Sequence, residues 1–128
     1  MNRHQKLALW AADCAEHVLA LFEAEHGEDQ RPRQAIEAVR QWQSGDIAMT
    51  IARKKAFAAH AAARQATNSA AIAAARAAGH AAATAHVETH AIHAARYAQR
   101  ARNAHDEGLD DEREWQISRL PDGVEAPF

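Results

Sequence analysis

The sequence predicts an all-α protein: a compact bundle of five to six alanine-rich helices that form a single domain. Alanine supplies 35 of the 128 residues, whereas leucine, isoleucine, valine and phenylalanine together supply only 19. Alanine is the strongest helix former because it loses no side-chain entropy on folding. A chain of this length normally forms one domain, and we identify no strands. We expect closely packed helices whose core is completed by a few large residues, namely Trp10, Phe22, Trp42, Phe57, Tyr97 and Trp115.

The first half of the chain contains three predicted helices, identified from apolar spacing and from residues that favour helix ends. The first covers residues 3–26, with apolar side chains on one face and Gly27 as the stop. The second begins at Pro32, whose missing N–H costs nothing in a first turn. Asp46 is the predicted N-cap of the third helix, which extends to residue 65. The loop between the second and third helices is very short, so these helices should be antiparallel neighbours.

The second half of the chain requires a break in an otherwise continuous helical pattern. One helix from residue 70 to residue 104 would be about 50 Å long, which is too long for a domain of this size. Gly79 and Thr84 are the two candidate positions; we favour Thr84 as a helix cap and Gly79 as a point of close packing. The fourth helix, capped by Asn68 or Ser69, then ends at residue 83, and the fifth extends to residue 103.

A sixth helix is predicted to begin at Asp110 or Asp111 and to extend to Arg119, where Leu120-Pro121 terminates it. We therefore predict one helical domain over residues 1–120 and a loosely ordered C-terminal tail over residues 121–128. Alanine-rich faces at helical spacing could also bury themselves against a second copy of the chain, so the pattern is compatible with a homodimer.

Several features favour a cytoplasmic protein that contacts neither membranes nor nucleic acids. The chain has a single cysteine, Cys14, which excludes an internal disulfide and fits a reducing compartment. The first residues carry charges rather than the apolar stretch of a signal peptide, and no apolar run is long enough to span a bilayer. The formal net charge is −2, and acids accompany most of the arginines, which argues against nucleic-acid binding.

Histidines of the alanine-rich second half form a candidate metal site. His86, His90 and His93 occupy positions i, i+4 and i+7, so one helix would place them on one face. His-x3-His suits two ligands of zinc or a similar divalent metal, and His60 or His80 could complete the site from a neighbouring helix. The alternative, which we favour, is that these histidines bond to backbone or acids between close-packed helices and that the protein holds no cofactor.

No set of residues predicts an enzyme. A catalytic zinc site is disfavoured because Glu88 points away from His86 on a helix and could not act as the general base. Cys14 lies on an apolar, alanine-lined face, as expected for a small buried side chain rather than a nucleophile. The remaining catalytic alternative pairs Asp13 with a histidine as acid and base.

Acidic residues form two further candidate sites. Asp13 lies near the edge of the apolar stripe of the first helix, where its carboxylate could bind a histidine or arginine of another helix and fix their packing. A denser group, opposed by Arg113 alone, consists of Asp106, Glu107, Asp110, Asp111, Glu112 and Glu114. Acids early in a helix favour its dipole. The same charges could bind a basic partner, where they would speed encounter and add specificity.

Five stretches carry a family resemblance: LWAADCA (9–15), RPRQAIEA (31–38), AHAAAR (59–64), ARAAGHAAATAH (75–86) and EWQ (114–116). In this order they resemble a family of small bacterial immunity proteins, the immunity-protein-five-like group, over most of residues 7–120. The segment from residue 79 to residue 90 is the most specific part of the match.

The resemblance implies an all-helical domain that binds and neutralises a cognate protein toxin made by the same or a competing strain. It supplies no binding residues. We therefore expect a non-catalytic bacterial immunity protein whose partner is a toxin. The alternative, from a different functional class, is a small metal- or ligand-binding helical protein that uses the histidines.

Overall fold

The described part of the chain folds into six helices. The structure, a computed structural model, describes the backbone of residues 1–106 and 108–128, and the side chains of these residues except Asp106 and Leu109. The helices are α1 (Arg3–Glu23), α2 (Arg31–Gln43), α3 (Met49–Gln65), α4 (Ser69–Ala83), α5 (His90–Asp106) and α6 (Leu109–Ser118). Because no strand occurs in these residues, the predicted all-α bundle is confirmed. None of these helices is both long enough and apolar enough to cross a membrane.

Local capping groups set the starts of α1 and α4. The Asn2 side chain accepts a hydrogen bond from Gln5 N at 2.8 Å, and the Gln5 side chain accepts one from Asn2 N at 3.0 Å. This reciprocal pair satisfies backbone donors that a helix start leaves without a partner. Asn68 caps α4 through one such bond, which its side chain accepts from Ala71 N at 2.8 Å.

The predicted N-cap of α3 is wrong, because Asp46 takes part in a turn instead. Ser44 Oγ donates to the Asp46 carboxylate at 2.8 Å, around a glycine, Gly45, whose φ of 85° lies in the left-handed region. Helix α3 begins later, at Met49, and has no side-chain cap. Two other ends also differ from the prediction: α1 ends before residue 26, and α5 continues past residue 103.

Helix α4 ends at the predicted break, with Thr84 as its C-cap. Thr84 Oγ1 donates to His80 O at 3.0 Å, and the chain then turns before α5 begins at His90. His4, in the first turn of α1, donates a hydrogen bond through Nε2 to the Thr84 carbonyl oxygen. The start of α1 is therefore tied to the turn that joins α4 to α5.

Helix α4 occupies the centre of the bundle and packs against α1, α2, α3 and α5. Ten of its 15 residues are buried, and all ten are alanine or glycine. Such small side chains let neighbouring helices approach closely. Gly79 marks a point of very close approach to α3, because a Cβ there would lie 2.6 Å from His60 Nε2. The predicted close-packing role of Gly79 is confirmed.

The large apolar side chains are concentrated on α1 and α2, where Trp10, Phe22 and Ile36 are buried. The prediction that Phe57 belongs to the core is wrong, since this residue is 59% exposed. All the buried residues of α3 are alanines, and Phe57 lies next to that alanine stripe rather than on it. The other predicted core aromatics are only half-buried: Trp42, Tyr97 and Trp115.

The segment after α6 folds back toward α1. Val124 packs against the core, and the Phe128 ring centroid lies 6.4 Å from that of Trp10. The domain boundary expected at residue 120, and the loose ordering expected beyond it, stay predictions.

Candidate functional site

Helix α6 turns two polar side chains into the core. Glu112 and Gln116 lie about one helical turn apart and are 2% and 0% exposed, respectively. The expectation that Glu112 presents its carboxylate to a partner is therefore wrong. The two positions share one face of the helix with the four-residue spacing that usually marks apolar contacts, and here the contacts are polar.

Glu112 joins α6 to both α1 and α5. Its two carboxylate oxygens each lie 3.0 Å from His17 Nδ1, and one of them lies 3.5 Å from Arg102 Nε. A carboxylate only accepts hydrogen bonds, so Nδ1 of His17 carries the proton. The His17 ring also stacks on Trp115, with centroids 3.6 Å apart and planes 6° apart.

Gln116 completes the attachment of α6. Its backbone carbonyl accepts a hydrogen bond from Trp10 Nε1 at 2.8 Å, and its side-chain amide donates to Ala95 O at 2.9 Å. The Gln116 side-chain oxygen accepts a bond from Gln99 Nε2 at 2.8 Å. Buried polar groups with all partners in place specify one orientation of the groups they join. The direction in which α6 presents its outer face is therefore fixed.

That outer face carries acidic side chains. Asp110, Asp111 and Glu114 are exposed, and no cation of the described residues lies within ion-pair distance of them. The other two residues expected in this group, Glu107 and the side chain of Asp106, lie outside the part of the chain that the structure describes. Acids in the first turn of a helix interact favourably with its dipole. Their exposed charges can also attract a basic partner.

Two concavities flank the stacked rings of His17 and Trp115. One, of about 390 Å³, is also lined by Asp111, and the other, of about 320 Å³, is also lined by Asp13 and Arg119. Tryptophan is frequent among the residues that dominate binding energy, because it is large, rigid and partly polar. We call this surface the α6 face and define it by His17, Asp110, Asp111, Glu114 and Trp115. Sequence reasoning assigned Trp115 to the core and gave His17 no role in a site.

Asp13 takes part in an ion-pair network between α1 and α2. Arg40 Nη2 lies 2.9 Å from the Asp13 carboxylate, and Arg40 Nη1 lies 2.7 Å from that of Glu16. The Asp13 side chain is 42% exposed, so this pair lies at the surface rather than in the core. The hydrogen bond from Arg40 lowers the pKa of Glu16. The network therefore helps to set how α1 and α2 pack, and its exposed part borders the α6 face.

Four histidines meet where α3, α4 and α5 pack together, and we call them the histidine cluster: His60, His80, His90 and His93. The His80 ring lies at the centre, 4.9 Å from that of His60 and 5.2 Å from those of His90, His93 and Tyr97. His80 Nδ1 and His90 Nδ1 are 3.0 Å apart, so one nitrogen donates and the other accepts. At least one ring of that pair is therefore neutral.

The surroundings favour the neutral form of three of these rings, those of His60, His80 and His90. Burial lowers the pKa of His60 to about 4, and the positive charge of Arg76 adds to the effect. Burial also lowers the pKa of His80 to about 3, with the neighbouring His60 as the next cause. The pKa of His90 is lowered by burial first and by His93 second. At neutral pH His60, His80 and His90 therefore act as uncharged hydrogen-bonding groups between helices.

The predicted row of three histidines on one helix is wrong. The break after Thr84 places His86 in the turn before α5, where it is exposed, and leaves only His90 and His93 on a common helix. Over residues 1–106 and 108–128, no three His, Cys, Asp or Glu side chains are arranged to hold one metal ion. His80 and His90 instead direct one ring nitrogen at each other. The geometry gives the divalent-metal alternative no support.

Cys14 lies inside the bundle, close enough to Glu112 of α6 to be affected by its charge. The side chain is fully buried, and burial raises the pKa of its thiol, with Glu112 and then Asp13 adding to the rise. Because the thiolate is the reactive form of cysteine, this thiol is poorly suited to nucleophilic chemistry at neutral pH.

Comparison with known families identifies the domain. The family model described as Imm-5 like putative immunity protein matches residues 1–123. The chain belongs to this family. No curated protein and no solved structure is significantly similar to it. The family description implies a protein partner for this Imm-5-like chain, and both the α6 face and the histidine cluster lie within the matched residues.

Proposed function

We propose that this Imm-5-like protein is a bacterial, cytoplasmic immunity protein that binds a cognate protein toxin and neutralises it without catalysis. We propose further that the α6 face is part of the binding surface. Family membership supports the general function. The choice of surface is supported by three exposed acids that form no ion pair with the described residues and lie beside a half-exposed tryptophan, on a helix attached through Gln116.

The charges of the α6 face suggest the character of the partner. Asp110, Asp111 and Glu114 are exposed and form no ion pair with any cation of the described residues. A basic surface would be drawn to them, which raises the association rate more than it slows dissociation. Trp115 would then supply the apolar contact that a stable complex needs. The partner is therefore expected to be a toxin with a basic surface.

Identifying the toxin is the first experiment. The tagged full chain is purified from the bacterium that produces it, and co-eluting polypeptides are identified by mass spectrometry. A polypeptide that binds in a one-to-one complex should stop growth when it is expressed alone, and co-expression of this protein should restore growth. If a polypeptide that binds in a one-to-one complex is not toxic, or if this protein gives no protection against it, the immunity function is wrong.

The role of the α6 face is tested by removing its charges. Asp110→Asn, Asp111→Asn and Glu114→Gln together should lower the association rate about tenfold or more at low salt, because electrostatic steering is lost. A matched control removes three exposed acids elsewhere: Glu25→Gln, Glu28→Gln and Glu37→Gln. The two variants have the same net charge, so only position distinguishes them. Equal rates for both variants would exclude the α6 face and leave the immunity function standing.

A further inference from the structure

A second concavity lies between α5 and α6, away from the stacked pair of His17 and Trp115. It has a volume of about 320 Å³ and is lined by Arg96, Gln99, Arg100, Asn103, Arg113 and Phe128. The α5 residues recur at helical spacing, so they share one face of that helix. We propose that this arginine pocket is a binding site for a phosphate group. The proposal is independent of toxin binding.

The positively charged side chains of the pocket form no ion pair with the carboxylates that the structure describes. Five other arginines of the described chain form ion pairs with acids: Arg3, Arg31, Arg33, Arg40 and Arg102. Across the described ranges no carboxylate lies within ion-pair distance of Arg96, Arg100 or Arg113. The whole chain has a formal net charge of −2, so acids are not scarce. An anion bound here would be attracted by the three guanidinium groups that line the pocket.

Two of these arginines are held in position by neighbouring groups. The Arg113 Nε donates to Gln99 Oε1 at 3.2 Å, and Gln99 itself is only 5% exposed and donates to Gln116. The Arg100 guanidinium lies 4.8 Å from the centroid of the Tyr97 ring. Because these contacts already restrict the two side chains, less conformational entropy would be lost on binding. The buried amide network therefore supports the pocket as well as the attachment of α6.

The chemistry of the lining selects an oxyanion with more than one charge. A guanidinium group donates two parallel hydrogen bonds to phosphate oxygens, and three such groups match a dianion better than a single carboxylate. The Asn103 amide adds a neutral donor, and Phe128 adds an apolar wall. The phosphate could be free or could belong to a small ester whose organic part contacts the Phe128 ring.

Binding is tested by titrating the full-length protein with inorganic phosphate and with phenyl phosphate, at constant ionic strength set with sodium chloride. Amide chemical shifts should change at residues 96–103, at Arg113 and at Phe128, and calorimetry should give one site. The variant Arg100→Gln/Arg113→Gln should bind at least about tenfold more weakly, because two charged hydrogen-bond donors are lost. Circular dichroism verifies that the variant is folded, and Arg96→Gln replaces it if it is not.

The matched control is Arg53→Gln on α3. Arg53 is also an exposed arginine over an aromatic ring, with its guanidinium 5.4 Å from the Phe57 centroid, but it lies outside the pocket. Its substitution should leave phosphate affinity unchanged. Tighter binding of phenyl phosphate that is lost in Phe128→Ala would assign a phosphate ester, whereas equal affinity would assign free phosphate. Absence of saturable shifts in the wild type, or equal weakening by Arg53→Gln, would overturn the proposal.

Discussion

The two sides of helix α5 are held by different forces. Toward α4, the contact consists of closely packed alanines together with the His80 ring, which meets the rings of His90, His93 and Tyr97. Toward α6, the contact depends on buried polar groups, chiefly Glu112 and Gln116. Alanine packing is spoiled by added volume, because little free space remains. A contact made by buried polar groups is destabilised when one hydrogen-bonding partner is removed, because the remaining group stays buried without a hydrogen bond.

The largest effect is expected from added volume in the alanine region. Ala74 on α4 is fully buried, and Ala74→Leu should lower the free energy of unfolding by about 3 kcal/mol, because the core cannot accept the extra methyl groups without strain. Urea denaturation measures the change. The control, Ala20→Leu on an exposed position of α1, makes the same chemical change and should be nearly neutral. Similar losses in both variants would refute the contrast.

The next effect concerns the polar attachment. Gln116→Leu keeps a similar volume but leaves Gln99 Nε2 and Ala95 O without their partner, which should cost about 2 kcal/mol. Hydrogen exchange should then become faster in α6 than in α4, since the loss is local. Gln34→Leu on the exposed side of α2 serves as control. If Gln116→Leu speeds hydrogen exchange equally in α6 and α4, the two regions are not stabilised independently.

Gly79 provides a smaller and more specific test of close packing. In an exposed helix a glycine-to-alanine change stabilises by about 1 kcal/mol. Here the new Cβ would lie 2.6 Å from His60 Nε2, so the ring must move and we expect a net loss of about 1 kcal/mol. In a His60→Ala background the same change should be stabilising. A double-mutant cycle with no coupling would show that the contact has no energetic weight.

The smallest effect near neutral pH comes from the histidine cluster. The folded-state pKa values of His60 and His80, about 4 and about 3, lie below the value of about 6.5 in the unfolded chain. The unfolded chain therefore binds more protons between pH 6.5 and 4, and stability should fall as the pH falls through that window. His60→Gln/His80→Gln should flatten this dependence in thermal melts from pH 7 to pH 4. His105→Gln, an exposed change, should leave it unaltered.

The predictable parts of the fold were those encoded locally. Asn68 and Thr84 were identified as candidate helix ends from the sequence because their side chains bond to backbone within a few residues. The prediction of Asp46 as an N-cap is wrong for a related reason: its carboxylate has a competing local partner, the Ser44 hydroxyl. The prediction that Phe57 is a core residue is wrong because hydrophobicity alone does not reveal that α3 packs through its alanines.

The candidate site was less predictable, because it depends on contacts between distant segments. Composition groups Glu112 with the surface acids, yet its buried carboxylate contacts His17, which is 95 residues away in sequence, and Arg102 on the preceding helix. A usable signal was present in the spacing of Glu112 and Gln116 around Trp115, which places all three toward one side of a short helix. The prediction that His86 shares a helix face with His90 is wrong because His86 lies in the non-helical segment between α4 and α5.

The buried position of Cys14 makes its thiol a natural probe of how often the bundle interior opens. The thiol is fully enclosed and its pKa is raised by burial, so a maleimide or disulfide reagent cannot modify it in the closed protein. Modification must wait until the surrounding helices separate. The rate of labelling therefore counts opening events of the bundle interior, with no engineered probe and no change to the sequence. A bound protein partner that slows this reaction would show that binding also stabilises the interior of the bundle, beyond the residues that the partner contacts.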